Sequence, residues 1–264
     1  ALLFEKPSLR TRVSFEMAML RLGGHAIYLA GHEVRMGERE PVRDVARVLS
    51  RMVQGIAART FEHARIVELA RWASVPVINA LSDDEHPCQA LADLLTLRER
   101  LGDLRGVRLA YLGEGNNVAR SLAYASVLAG MQFVCASPPG YGLPEPVLAR
   151  ARALAGGGTV RQLDDPAAAV RDASAVYTDV WASMGHEDRL AERLDIFRPY
   201  QLNAELLERA PAGALVMHDL PAHRGQEITD EVMESPRAVV FEQAENRLHV
   251  QQAVLSLVLA GPSI

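Results

Sequence analysis

Short apolar runs alternate with helix-patterned stretches from one end of the chain to the other. Strands separated by helices do not meet as hairpins. They run parallel, because each crossover is long enough to return the chain to the same edge. The pattern predicts strands over Ala1–Phe4, His25–Leu29, Gly55–Arg59 and Val75–Ala80. A second series is predicted over Val107–Leu112, Gln132–Ala136, Thr159–Leu163, Ala175–Asp179, Ala214–His218 and Ala238–Glu242. Between them lie helical patterns over Val42–Val53, His63–Ala73, Gln89–Leu101, Val118–Ala129 and Pro144–Ala155, with Gly102 placed to end the third of these. The expected fold is α/β: two lobes, each a mainly parallel sheet covered by helices. The lobes are expected over 1–98 and 99–241, and 242–264 as a C-terminal helix that returns to pack on the first.

With 49% hydrophobic and 23% charged residues, 264 residues can bury an ordinary core. The net charge of −5 and the lack of a basic tract argue against a nucleic-acid partner, so any anion site must be a local concentration of arginine. Cys88 and Cys135 form no CxxC spacing and no disulfide framework, which fits a reducing cytoplasm. No signal-like opening is present, and no apolar run is long enough to span a bilayer. Ala1–Phe4 reads as part of a strand rather than a natural beginning, so an N-terminal segment is expected to be missing.

Ligands in open α/β sheets bind beyond the carboxyl ends of the strands, and the polar clusters fall there. Ser8-Leu9-Arg10-Thr11-Arg12 sits between a strand and a helix start, where free N–H groups, two hydroxyls and guanidinium groups suit a phosphate; a capped helix with solvated arginines fits equally. Arg59 ends a strand, as a crevice residue or a rim charge. His86-Pro87-Cys88-Gln89 opens a helix, where His86 can donate to a carbonyl oxygen and Gln89 can reach an amide, or both serve capping. Gly113-Glu114-Gly115-Asn116-Asn117-Val118 has Val where a dinucleotide fingerprint needs a third glycine, so the asparagines are read as ligand-holding or as caps. Asp179-Val180-Trp181-Ala182-Ser183-Met184-Gly185 can hold a cation beside an apolar stem, or is a loop with a packing Trp. Met217–Gly225, with His218, Asp219 and His223, lacks a nucleophile elbow, and its spacing matches neither HExxH nor a Cys/His finger, so neither a hydrolase triad nor a metal site is expected. Arg247 sits in the final helix, facing an anion or solvent.

In combination and order these clusters resemble the aspartate/ornithine carbamoyltransferase superfamily. Phe4-Glu5-Lys6-Pro7-Ser8-Leu9-Arg10-Thr11-Arg12 resembles its carbamoyl-phosphate signature, and His86-Pro87-Cys88-Gln89 with Ala90–Leu94 its second. Asp179–Gly185, Leu220–Gly225 and Gln243–His249 are similar to the ornithine branch, so the resemblance spans essentially the whole chain. It implies that 1–98 binds carbamoyl phosphate and 99–241 binds ornithine. It implies phosphate contacts from Ser8, Leu9 (through its backbone), Arg10 and Thr11. Arg59, His86 and Gln89 would hold the carbamoyl group and bridging oxygen, and Leu220 and Arg247 would complete that site. Asn117, Asp179, Ser183 and Met184 would hold ornithine.

The implied activity moves the carbamoyl group from carbamoyl phosphate to the side-chain amine of L-ornithine, giving L-citrulline and phosphate. Arg59, His86 and Asp219 are the catalytic candidates. No metal or cofactor is implied, and the implied assembly is a homotrimer or a set of trimers in the cytoplasm, with no membrane partner. Two departures bear on this. Leu9 stands where the signature usually has Thr, and Asp219 where the ornithine branch has Cys. A carboxylate at 219 can accept a hydrogen bond from the substrate amine, or hold that amine protonated and slow attack. Gly31–Gly37 also matches poorly where the family places further phosphate contacts. The alternatives are a carbamoyltransferase for another amine, putrescine or an acylated ornithine, and a non-catalytic homologue that binds carbamoyl phosphate.

Overall fold

The computed structural model describes residues 1–181 and 190–259, with nothing stated of the side chains at 190–192. It forms two compact units, Ala1–Ala92 with Glu245–Ile264, and Asp93–Ala244.

The first unit is built on four parallel strands: β1 (Leu2–Phe4), β2 (Tyr28–Ala30), β3 (Ile56–Arg59) and β4 (Val77–Leu81), in the order β2-β1-β3-β4. The helices are α1 (Leu9–Arg21), the single turn α2 (Gly31–Val34), α3 (Val42–Leu49), α4 (His63–Trp72) and the start of α5 (Pro87–Leu101). Successive strand residues point to opposite faces, and both faces are covered. Leu3, Ile56 and Ala58 pack with Val42, Val45 and Ala46 of α3 and Ile66 and Leu69 of α4. On the other face Leu2, Phe4, Ala57 and Ala80 pack with Phe15 and Ala18 of α1, Cys88, and Leu255 of the C-terminal helix (Val240–Leu259). Burying each large apolar side chain contributes roughly 1.5–3 kcal/mol.

The second unit has five parallel strands: β5 (Arg108–Leu112), β6 (Gln132–Ala136), β7 (Thr159–Leu163), β8 (Ala175–Thr178) and β9 (Leu215–Met217), in the order β7-β6-β5-β8-β9. Its helices are α6 (Asn117–Leu128), α7 (Glu145–Arg152), α8 (Pro166–Val170), α9 (Leu190–Phe197), α10 (Ala204–Glu208) and α11 (Asp230–Met233). Ala110, Leu112, Val134, Val176 and Val216 form one buried face with residues of α8, α10 and α11. The alternate residues Tyr111, Phe133 and Tyr177 are buried as well, with Tyr111 stacked on Tyr177 at a centroid distance of 5.7 Å.

One expected strand is absent. Ala238–Glu242 contributes only a bridge from Ala238 to Val216, and the chain is helical from Val240. Val239 donates its N–H to Val216 and Val240 is buried in the second unit's core, so tertiary burial accounts for this apolar run without a sixth strand. The second strand starts later than expected, at Tyr28 instead of His25. The short helices α2, α8, α9, α10 and α11 had no counterpart in the helical pattern, because one or two turns are too short to show a period. As expected, Gly102 follows the last turn of α5 with φ +82° and donates its N–H to the Arg98 carbonyl. In each unit strand order reverses once, between β1 and β3 and between β5 and β8. Open parallel sheets place ligands at that reversal, beyond the strands' carboxyl ends.

Candidate active site

At the β1/β3 reversal Phe4 is in register with Arg59, and Glu5 donates its N–H to the Arg59 carbonyl. The turn after β1 ends at Ser8, the N-cap of α1, whose Oγ accepts from the Thr11 N–H at 3.3 Å. No acidic residue occupies the first turn of α1, so its N–H groups and the positive end of the helix dipole meet no competing carboxylate on that turn. Leu9 is exposed, as its apolar side chain on the outer face of that turn requires. Thr11, Arg59, His86, Gln89 and Arg247 are all buried. Arg247 joins three segments: it donates to Gln89 Oε1 at 2.6 Å and to Thr11 Oγ1 at 3.2 Å.

The charges gathered here are cationic. Burial drives the His86 pKa well below its usual 6.5, and the charges of Arg247, Arg59 and Arg10 push it further down. His86 is therefore a neutral imidazole surrounded by guanidinium groups, able to donate one ring N–H without itself adding charge. Lys6, absent from the expected set, belongs to the same field. Burial lowers its pKa, Arg59 lowers it further, and Asp83 and Glu5 pull the other way. Its ammonium sits over the Phe61 ring, 4.6 Å from the centroid. Burial raises the Cys88 thiol, with Arg247 opposing, so Cys88 is a packing residue rather than a nucleophile.

At the β5/β8 reversal the G-x-G is explained by backbone geometry. Gly113 has φ +136°, and a Cβ on Gly115 would meet the Leu143 nitrogen at 2.3 Å. Asn116 caps α6: its Oδ1 accepts from the N–H groups of Val118 and Ala119, each at 3.0 Å, and from the Tyr111 hydroxyl at 3.1 Å. Its Nδ2 donates to Asp179 Oδ2 at 2.7 Å, while the Val180 N–H reaches Asp179 Oδ1 at 2.7 Å. Asn116 therefore orients the buried Asp179, a role the sequence reading did not assign to it. The expected ligand residue Asn117 is its half-buried neighbour at the start of α6. Ser183 and Met184 lie outside the described residues.

After β9, His218 is fully buried. The Leu220 N–H donates to its Nδ1 at 2.9 Å, so the proton is on Nε2, which faces Glu227 Oε1 at 3.0 Å. The His218 N–H donates to Gln243 Oε1 at 3.0 Å, and Gln243 Nε2 donates to Asp93 Oδ1 at 2.7 Å. Leu220 is held at φ 59°, a conformation that an L-residue keeps only when its surroundings enforce it. Asp219 lies beside Asp179, with Oδ1 3.5 Å from His218 Nδ1. Asp179, His218 and Asp219 each offer a metal-ligating atom within 4.8 Å of the others. The chemistry does not suit a metal, because the Nδ1 lone pair already accepts from Leu220 and Nε2 is engaged with Glu227. Glu227 has no local signal in sequence, and Gln243 opens a segment similar to the ornithine branch without a role being assigned to it; only the fold brings both to His218.

Comparison with known families matches residues 1–99 to the aspartate/ornithine carbamoyltransferase carbamoyl-P binding domain and 105–258 to the Asp/Orn binding domain. The chain belongs to the aspartate/ornithine carbamoyltransferase family. The anabolic ornithine carbamoyltransferase of Pyrococcus furiosus is 52% identical over 263 residues, covering 99% of this chain and 84% of that protein. The solved structure of the ornithine carbamoyltransferase from that organism superposes with a TM-score of 0.96, covering 98% of this chain and 84% of that one. The Thermus thermophilus ornithine carbamoyltransferase structure, 50% identical, gives a TM-score of 0.89 over 98% of this chain and 85% of that one. The region matched by the family's carbamoyl-P domain holds the arginine cluster around His86, and the region matched by its Asp/Orn domain holds the Asp179 cluster. Among the described residues no helix is long and apolar enough to cross a membrane.

Proposed function

We propose that the chain transfers the carbamoyl group of carbamoyl phosphate to the side-chain amine of L-ornithine, releasing L-citrulline and phosphate in arginine metabolism. The observation that carries this reading is the neutral, buried His86 in the field of Arg10, Arg59 and Arg247. Such a field favours a dianion, and a neutral imidazole beside it can polarise a carbonyl without repelling the guanidinium groups. Relatives named as ornithine carbamoyltransferases, one of them anabolic, support ornithine as acceptor and a biosynthetic direction.

In this reading Ser8, Arg10, Thr11 and the N–H of Leu9 hold the phosphate, with Arg59, Gln89 and Arg247 on the carbamoyl phosphate. Thr11, Arg59 and His86 stabilise the oxygen that gains charge as the amine attacks, each donor contributing roughly 3 kcal/mol. The amine nitrogen forms a bond to the carbamoyl carbon, the carbon–oxygen bond to phosphate breaks, and the leaving phosphate accepts the amine's surplus proton. Asn117 and Asp179 hold the amino acid, with Ser183 and Met184 assigned by family resemblance. Leu220 completes the carbamoyl contacts. Holding the two substrates in line supplies up to several kcal/mol more.

The test is citrulline formation from carbamoyl phosphate and L-ornithine by the purified protein, with putrescine and N-acetylornithine as competing acceptors. Citrulline as the main product supports the reading. Preference for either competitor, or binding of carbamoyl phosphate without turnover, would overturn it. We further propose that the protein works as a homotrimer or an assembly of trimers; sedimentation velocity showing a stable monomer at assay concentration would refute that.

A further inference from the structure

The residue that departs most from the ornithine branch, Asp219, stands against another carboxylate. Asp179 has both oxygens engaged, by Asn116 Nδ2 and the Val180 N–H, and Asp219 brings a carboxylate oxygen within 4.8 Å of an Asp179 oxygen. Two carboxylates this close disfavour ionising both, so the pair is stabilised by keeping one proton. Among the described residues, the charges that act on Asp219 are those of carboxylates. His218 presents a lone pair that already accepts from Leu220, with Asp219 Oδ1 3.5 Å away. Asp93 of α5 adds a further negative charge, and Glu227 lies behind His218. The hydroxyls of Tyr111 on β5 and Tyr177 on β8 are buried in the same field. Burial raises both, with Asp179 foremost among the charges acting on Tyr111 and Asp93 on Tyr177. Among the described residues the buried Asp219 Oδ1 atom has no hydrogen-bond partner. Burial and the charge of Asp179 raise the Asp219 pKa well above 3.8.

We propose that Asp179 and Asp219 share one proton in the unliganded protein and release it when a primary ammonium of the amino-acid substrate binds between them. This rests on the ornithine reading above. The exchange is balanced: the pair goes from one negative charge to two, the proton leaves to solvent, and the incoming ammonium supplies the compensating charge. Substrate binding becomes proton-linked, so ornithine affinity rises with pH up to the pair's titration.

Infrared difference spectroscopy of the full chain on addition of L-ornithine tests this directly. The protonated-carboxyl C=O band of the free protein should be lost and carboxylate bands gained, and the change should be missing in Asp219→Asn, whose amide keeps a donor towards Asp179. An unchanged carboxyl band in the wild type on ornithine binding overturns the proposal. As a second measurement, KM for ornithine should fall by about tenfold per pH unit more steeply in the wild type than in Asp219→Asn, below the pair's titration. Parallel KM profiles would also overturn it. A wild type that binds no ornithine and forms no citrulline fails at the earlier reading, and the present one falls with it.

Discussion

His86 and Asp219 are shifted in opposite senses. His86 has a lowered pKa, so the unfolded chain binds a proton near pH 6.5 that the folded protein refuses. Its contribution is whole above that value and is lost as pH falls below it. Acid should therefore lower the melting temperature through this window, and His86→Gln should flatten that slope; an unchanged slope would contradict the buried neutral imidazole. Asp219 has a raised pKa, so its contribution runs the other way and is lost as pH rises from 3.8 through the folded-state value. Asp219→Asn should accordingly be more stable than the wild type at neutral pH by thermal melting. At Arg247, truncation to Ala removes the donors to Gln89 and Thr11 from a buried position. Losing a charged, buried hydrogen-bond donor costs about 1.5–3 kcal/mol, which should raise KM for carbamoyl phosphate by roughly 10–200-fold.

Helix starts and strand ends account for most of what positions these residues. The turn from β5 into α6 depends on Gly115, whose missing side chain lets the Gly142–Leu143 backbone approach. Gly115→Ala would force a Cβ to 2.3 Å of a backbone nitrogen, so it should destabilise the second unit by about 2–4 kcal/mol in denaturant melts. Asn116→Ala loses a cap, costing about 1 kcal/mol, and also the donor to Asp179. Because Asn116 acts through Asp179, the variant should raise KM for ornithine while leaving KM for carbamoyl phosphate unchanged; equal effects on both would mean the damage is only structural. Here the sequence was partly legible: an asparagine before a helical pattern reads as a cap, but its other end on Asp179 does not, because the two are 63 residues apart in the chain.

On the scale of the whole molecule, each unit carries its own sheet, core and reversal of strand order, with a cationic cluster in one and a carboxylate pair in the other. Ligand that binds only the folded first unit stabilises it by mass action, about 2.7 kcal/mol at a hundredfold excess over Kd. Inorganic phosphate should therefore raise the melting temperature, less at high salt, and Arg10→Ala should abolish the gain. Protection that survives in the variant would remove Arg10 from the phosphate contacts.

The sequence by itself determined the architecture, because alternating apolar runs and helical periods leave few arrangements besides parallel sheets with helical crossovers, and it placed the polar clusters at strand ends. It also singled out Asp219 as a departure. Tertiary structure alone decided what each candidate touches. Arg247 reaches Thr11 across 236 positions, Gln243 reaches Asp93 across 150, and Asp219, after β9, meets Asp179, after β8. The apolar run at Ala238–Glu242 was likewise settled by where the core had room for it. Local propensity and periodicity extend over a few residues, whereas protonation, charge and hydrogen-bonding partners depend on neighbours that only the folded chain brings within a few ångströms.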